Sequence, residues 1–291
     1  MPQRKRWLVL KILTEQVEEK KGRYLSWSAA KNWDECPYYY KLTKIDDIGG
    51  FEGNVHTAFG HGVHWTIEKE LTPTRTGSID LAETFTENFN KALGELPEEQ
   101  KKLLSEEPKT MKLHDEMKLQ GRELVPFLKP ALDEYFGEWE LVGIEEKFYE
   151  KCNFYDLGDF FFKGFIDIVV KTKDGKFHIV DWKTCSWGWD VRKKSDPMVT
   201  YQLTVYKHFF CQKYGIKPSK VETHFALCKR TNKTNKRVEF FKVTSGPKKT
   251  ANALNFLKRV VYNVDHNNHL KNRSSCYKKK KCEFRHTKHC L

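Results

Sequence analysis

The sequence predicts a mixed α/β fold, a central sheet flanked by helices, with an N-terminal helical subdomain and a cysteine-rich C-terminal tail. Three observations predict it. Between residues 139 and 184 the chain holds three consecutive runs rich in β-branched and aromatic residues. A helix-patterned segment at 196–214 separates them from two more such runs, at 220–230 and 236–243, and a helix set between strands is the mark of an α/β sheet. From Ser26 to the first strand the patterns are helical. The expected organisation is one continuous domain, with the N-terminal segment and helical subdomain over 1–138, the core over 139–245 and a C-terminal helix and basic tail over 246–291.

Taken in order, WLVLKIL (7–13) fits a short strand or a short helix, and the residues do not decide between them. SWSAAKNWDECPYYYKLTKI, from Ser26, has a serine cap at Ser26 or Ser28 and its aromatics on one face, while Pro37 must start a new turn. Past the glycine-rich GGFEGN, residues 55–71 form a second helix with Val63, Ile67 and Leu71 spaced for burial. Helices follow at 78–93 and 111–136, separated by the charged, proline-bearing stretch 94–110. WELVGIEEKFYEK (139–151), DFFFKGFIDIVV (159–170) and KFHIVDWKT (176–184) are strands. DPMVTYQLTVYKHFFCQKY (196–214) opens as a helix on Asp-Pro. KVETHFALCKR and KRVEFFKV are two more strands, and TANALNFLKRVVYNV (250–264) is a final helix.

Hydrophobic residues make up 39% and aromatics 14% of the 291 residues, enough for a core, and the net charge is +13. That charge is concentrated: residues 246–291 hold twelve Lys/Arg against Asp265 and Glu283, and so +10 of it. A basic segment on a globular body points to a polyanion, nucleic acid first. No apolar run reaches the roughly 20 residues of a membrane span. MPQRKRWLVLKIL lacks a small-residue cleavage site, so the expected location is cytoplasmic. Eight cysteines there are thiols or metal ligands rather than disulfides.

The chemistry concentrates in Lys163–Thr184. Folding that hairpin about Asp174–Gly175 sets residue 181 opposite residue 168, leaving Asp167 and Asp181 cross-strand neighbours roughly 5–8 Å apart. Lys183 shares the face of Asp181, and Trp182 takes the other. Two carboxylates and an ammonium on one face can hold a divalent metal and steady a phosphate. Against this stands the plain reading, a salt bridge on a surface hairpin.

GFID followed by IVDWKT resembles motifs II and III of the PD-(D/E)XK nuclease superfamily, in its RecB-like branch. That branch includes iron–sulfur CRISPR adaptation nucleases and phage and bacterial recombination exonucleases. The resemblance runs from about Ser26 to Cys290 and implies a restriction-endonuclease-like core. It implies that His64, in a G-x-x-x-H helix begun by Gly60, joins Asp167 and Asp181 around Mg2+ or Mn2+, with Lys183 beside the phosphate. His61 is a weaker competitor, and Glu68, one turn on, can orient His64. In IEEKF the family's glutamate is Glu145 or Glu146, and Glu145 fits the spacing better. Gln202 and Tyr206 match the family's Q-x-x-x-Y, which would hold the DNA backbone or position water. Cys36 before Pro37, with Cys276, Cys282 and Cys290, resembles the four ligands of a 4Fe–4S cluster. Their x5 and x7 spacings depart from the family's tighter pairs, and a structural Zn2+ using His286 or His289 is the rival. Cys152, Cys185, Cys211 and Cys228 are expected to be buried thiols, and Trp187 and Trp189 packing residues rather than base-stacking ones. The activity so implied is a metal-dependent DNA exonuclease acting on single- or double-stranded ends, beside a recombination or helicase partner. Two other readings stay open: a non-catalytic basic DNA-binding or assembly module, and an RNA-processing nuclease.

Overall fold

The strand β3 (Phe160–Thr172) is the longest-paired member of the sheet, because its aromatic and branched residues are buried on both faces. The computed structural model describes residues 23–72, 78–152, 154, 160–232, 236–277 and 282–290, so WLVLKIL lies outside the described residues. Along one edge of β3 runs β2 (Trp139–Lys151), antiparallel. Two strands share the other edge: β1 (Arg23–Ser26), parallel, pairs with Phe160–Lys163, and β4 (Phe177–Cys185), antiparallel, pairs with Ile168–Lys171. Between them Gly164–Asp167 has no ladder partner on that side. The sheet continues through β5 (Val221–Lys229), parallel to β4, to β6 (Val238–Val243), antiparallel. Residues 23–25, to which the sequence assigned no element, thus form a strand that runs into the cap Ser26.

Helices cover both faces. On one lie α1 (Trp27–Glu35), α9 (Pro197–Tyr214) and α10 (Pro247–Asp265), packed on a core that includes Phe162, Ile166, Ile179 and Phe225. On the other lie α3 (Val55–Leu71), α4 (Leu81–Gly94), α6 (Pro108–Leu124) and α7 (Leu128–Phe136), packed on Ile168, Val170, Val180 and Trp182. The local reasons are visible at the helix ends. Ser26 caps α1 by accepting from Ala29 N, and Pro37 opens the next turn, α2 (Pro37–Tyr40), which runs into a π-helical turn at Lys41–Ile45. Asp196 and Pro197 start α9, and Gly215, with φ +64, ends it in the left-handed conformation.

Three expectations change. The helix expected over 111–136 is two helices joined by a 3-10 turn at Val125–Phe127, because Pro126 cannot donate a helical hydrogen bond. The stretch 94–110 contains a further helix, α5 (Glu98–Glu106), which buries no residue and so carries no apolar stripe to betray it. A short helix, α8 (Val191–Ser195), precedes α9.

The hairpin register also differs from expectation. Ile168 pairs with Val180 and Lys171 with Phe177, one residue away from a two-residue turn at Asp174–Gly175. Thr172 N donates to Lys176 O (3.1 Å) and Gly175 N to Thr172 O (2.9 Å), with Gly175 at φ +78. This is a three-residue loop with glycine in the left-handed position. It brings residue 181 level with residue 167 instead of residue 168.

Candidate active site

The unpaired stretch of β3, Gly164–Asp167, is where the site opens. Opening the ladder there leaves backbone groups to be satisfied, and Asp167 does part of this: its Oδ2 accepts from Trp182 N at 2.6 Å. The carboxylate is thus buried and aimed across the gap toward β4. On β4, Asp181 is only 2% exposed. Its Oδ1 accepts from Gln202 Nε2 at 3.0 Å. Its Oδ2 lies 2.5 Å from Lys183 Nζ, in a close ion pair with the ammonium. Gln202 also donates to the Tyr206 hydroxyl at 3.4 Å, and burial raises that phenol. Tyr206 can lie against β3 only because residue 164 is glycine: a Cβ there would meet the ring at 3.0 Å.

His64 arrives from the opposite face on α3. Asn54 starts that helix, accepting from His56 N and Thr57 N, while Thr57 Oγ1 accepts from Asn54 N. His64 Nε2 is 3.1 Å from Trp182 O, and Nδ1 is 3.6 Å from Asp167 Oδ2. A carbonyl can only accept, so Nε2 carries the proton. In the neutral ring, Nδ1 then offers its lone pair toward Asp167.

Glu145 completes the group. It stands level with Asp167 across the β2–β3 ladder, between the pairs Ile144–Ile168 and Glu146–Ile166. Its φ is +47, a strained conformation for a glutamate. The carboxyl is hydrogen-bonded to Glu68, and ligand atoms of His64, Glu68 and Glu145 lie within 4.8 Å of one another. Glu146, the other candidate in IEEKF, points away into the core, where Lys213 Nζ (2.5 Å) and the Tyr214 hydroxyl bind it.

Four carboxyl groups therefore stand close together, Asp167 and Asp181 buried, Glu68 half-buried and Glu145 exposed, and three of them are shifted. Desolvation, then repulsion from Asp167 and Glu68, pushes Glu145 up to about 8. Glu68 is raised, mainly by burial. Burial also pushes Asp181 up to about 6, against the pull of Lys183. Burial opposes the charge on Lys183, but Asp181 and Asp167 outweigh it and hold the amine above its ordinary range. An imidazole nitrogen and several carboxylate oxygens fit a divalent cation in chemistry and charge.

The site opens into a cavity of about 1050 Å3, lined among others by Arg23, Lys31, Lys44 and Lys163 beside Asp167 and Asp181. At the far end, Cys36 N-caps α2, and its Sγ accepts from Asn272 N at 3.4 Å. Burial raises the Cys282 and Cys290 thiols, with the Cys276 thiol adding to both and Cys36 to Cys290. The tail thus packs on α1 and α2, and the thiols of Cys276, Cys282 and Cys290, with Cys36 near Cys290, stand close enough to affect one another's charge. Among the other thiols, Cys152, Cys211 and Cys228 are buried, and Cys185 is half-buried. The two tryptophans part company: Trp189 packs on Phe225 (5.1 Å), but Trp187 is 78% exposed and packs on nothing described, contrary to expectation. Sequence reasoning treated Glu68 only as a partner of His64. Its i+4 spacing from His64 was the available signal, and its contact with Glu145 needed the fold.

A profile of the PD-(D/E)XK nuclease superfamily matches residues 24–290. Among solved structures, a protein from Eubacterium rectale provisionally described as an exonuclease is 15% identical. The match covers 87% of this chain and 88% of that one with a TM-score of 0.52, a likeness of fold. A second, SSO0001, is 10% identical over 89% of this chain and 86% of its own, with a TM-score of 0.38. No curated protein matches at a significant level. No helix among the described residues is long and apolar enough to cross a membrane.

Proposed function

The chain belongs to the PD-(D/E)XK nuclease superfamily, and from that premise we propose that it is a metal-dependent DNA exonuclease, hydrolysing phosphodiester bonds at DNA ends in recombination, repair or phage DNA metabolism. Nucleases of this superfamily act on nucleic acid with divalent metals. The observation that carries the catalytic reading is the convergence of Glu68, Glu145, Asp167 and Asp181 with His64 and Lys183 around the gap in the sheet. Four carboxyls this close repel one another when ionised, and a bound cation relieves that repulsion.

In this reading His64 Nδ1, Asp167 and Asp181 hold Mg2+ or Mn2+, with Glu145 and Glu68 completing the negative wall. When bound, the cation lowers the pKa of a water and polarises the scissile phosphate. The chain's own groups do the rest. Lys183 places a full positive charge where charge grows on the phosphate oxygens. Gln202 fixes the direction of Asp181 by its hydrogen bond, and Tyr206 in turn fixes Gln202. Arg23, Lys31, Lys44 and Lys163 supply cationic side chains along the cavity for a polyanionic backbone. The DNA-end reading and a recombination or helicase partner rest on the likeness to recombination exonucleases. We also place a 4Fe–4S cluster on Cys36, Cys276, Cys282 and Cys290, with Zn2+ as the rival. Four converging thiols and an N–H donor to sulfur support a soft-metal site.

The test uses end-labelled linear and covalently closed DNA, single- and double-stranded, with an RNA arm, comparing the native protein and Asp181→Ala in Mg2+ or Mn2+. Loss of label from linear DNA alone, abolished by the substitution, is expected. Cutting of closed circles would make it an endonuclease, cleavage of RNA alone an RNA-processing nuclease, and salt-sensitive binding without cleavage a binding module.

A further inference from the structure

On the face of the sheet opposite Asp181 and Lys183, three side chains meet that the nuclease chemistry does not use. His178 on β4 stands level with Glu222 on β5, and His224 follows two residues later on the same face. His178 Nδ1 is 3.1 Å from His224 Nε2 and 3.9 Å from Glu222 Oε2, and one ligand atom from each of the three lies within 4.8 Å of the others. Both histidines are buried. We propose that His178 Nδ1, His224 Nε2 and Glu222 form a second metal site, for Zn2+ or a similar borderline divalent ion, distinct from the candidate active site.

Several features beyond proximity support this. With metal–nitrogen bonds of about 2.0 Å at a tetrahedral angle, two ligand nitrogens stand about 3.3 Å apart, close to the spacing found here. The remaining nitrogens are already held in the manner of ligating histidines: His178 Nε2 is 2.9 Å from Thr172 Oγ1, and His224 Nδ1 is 3.3 Å from the Tyr135 hydroxyl. Such outer contacts fix ring orientation and tautomer. The Phe136 ring, 4.8 Å from His178 and 5.3 Å from His224, walls the imidazoles on one side. The other side opens to a cavity of about 530 Å3, leaving room for a water as fourth ligand.

Glu222 is also engaged by two lysines, Lys176 Nζ at 3.2 Å from Oε1 and Lys242 Nζ at 2.7 Å from Oε2. A carboxylate has several lone pairs, so Lys176 can stay on Oε1 while the partly exposed Lys242 leaves Oε2 for solvent. The site ties the start of β4 to β5 and, through Thr172, to the hairpin turn. It lies about three residues, or roughly 10 Å, along β4 from Asp181. Its role is a clamp on the sheet.

The full-length protein, stripped by a chelator, is titrated with Zn2+ against a chromophoric indicator in excess Mg2+, and separately with Co2+. Native protein, Glu222→Gln, His224→Gln and Cys276→Ser are compared for stoichiometry, Co2+ visible spectrum and the rise in melting temperature on binding. The expected result is one equivalent free of thiolate–cobalt absorption, beyond any that the cysteines take up, that Glu222→Gln and His224→Gln weaken by tenfold or more and Cys276→Ser retains. Tyr135→Phe should weaken it about 10-fold. Unchanged stoichiometry and affinity in Glu222→Gln would overturn the site and leave the histidines as a Thr–His–His–Tyr hydrogen-bond chain. Glu222 is decisive even if the buried His224→Gln fails to fold, because its substitution opens no core cavity.

Discussion

Glu145 and Asp181 are carboxyls whose pKa rises on folding, to about 8 and about 6, so without metal the folded chain holds protons that the unfolded chain has released. The contribution of these two groups to folding stability then falls as pH rises from about 4 toward 8 and levels off above it, the reverse of an ordinary salt-bridged carboxylate. We expect Mg2+ or Mn2+ to raise the melting temperature more near about pH 8 than near about pH 5, where these carboxyls hold protons, as read by thermal melts at stepped pH. The same protons compete with the cation, so metal should bind more tightly as pH rises. Lys183 tests a different property. Lys183→Met keeps the stem and removes the charge, and under the proposed mechanism it should lower kcat by about 100-fold or more with metal affinity unweakened. A parallel loss of metal binding would instead make Lys183 a structural partner of Asp181.

The elements are held at a few close approaches. In α6, a Cβ on Gly121 would fall 2.0 Å from the Phe85 ring, which is itself buried and stacked on Phe89 at 5.5 Å. Gly121→Ala should cost about 1–3 kcal/mol in denaturant unfolding, because the ring has no free space to enter. Gly164 plays the corresponding part for the site. Gly164→Ala presses on Tyr206 and, through Gln202, on Asp181. It should reduce activity far more than stability, and a stability loss matching that of Gly121→Ala would show that Tyr206 serves packing alone. Element starts were legible at Ser26, Asn54 and Asp196, but not at Asp190, whose capped helix α8 is too short to show an apolar period. α5 was not, because a helix that buries nothing has no apolar period to read.

Across the whole molecule, charge and cysteines act together. The basic tail returns to α1 and α2 through Asn272, which donates to Cys36 Sγ and to Glu35 O, beside the cavity lined by Arg23, Lys31 and Lys44. DNA binding should therefore weaken linearly on a log–log plot against salt. If the cysteines hold a cluster, Cys36→Ser should bleach the visible absorption and lower the melting temperature, whereas Asp181→Ala should leave the spectrum intact. A colourless native protein containing zinc would assign the site to the rival metal.

The sequence by itself determined the mixed α/β class, the strands of the core and the presence of G-x-x-D, D-x-K and Q-x-x-x-Y within them, because periodicity, caps and turn residues are local signals. The tertiary structure decided the rest. It gave the physical reason Glu145, already favoured by its spacing, joins the acidic group while Glu146 does not: facing depends on the strained backbone at residue 145 and on what Lys213 and Tyr214 bind. It brought Glu68 to Glu145 from another layer, left Trp187 in solvent and joined His178 to His224. The hairpin shows the reason most directly. Gly175 was visible in the sequence, but the three-residue loop that levels Asp167 with Asp181 was chosen by pairing across the whole ladder, where a one-residue slip would turn every buried side chain outward.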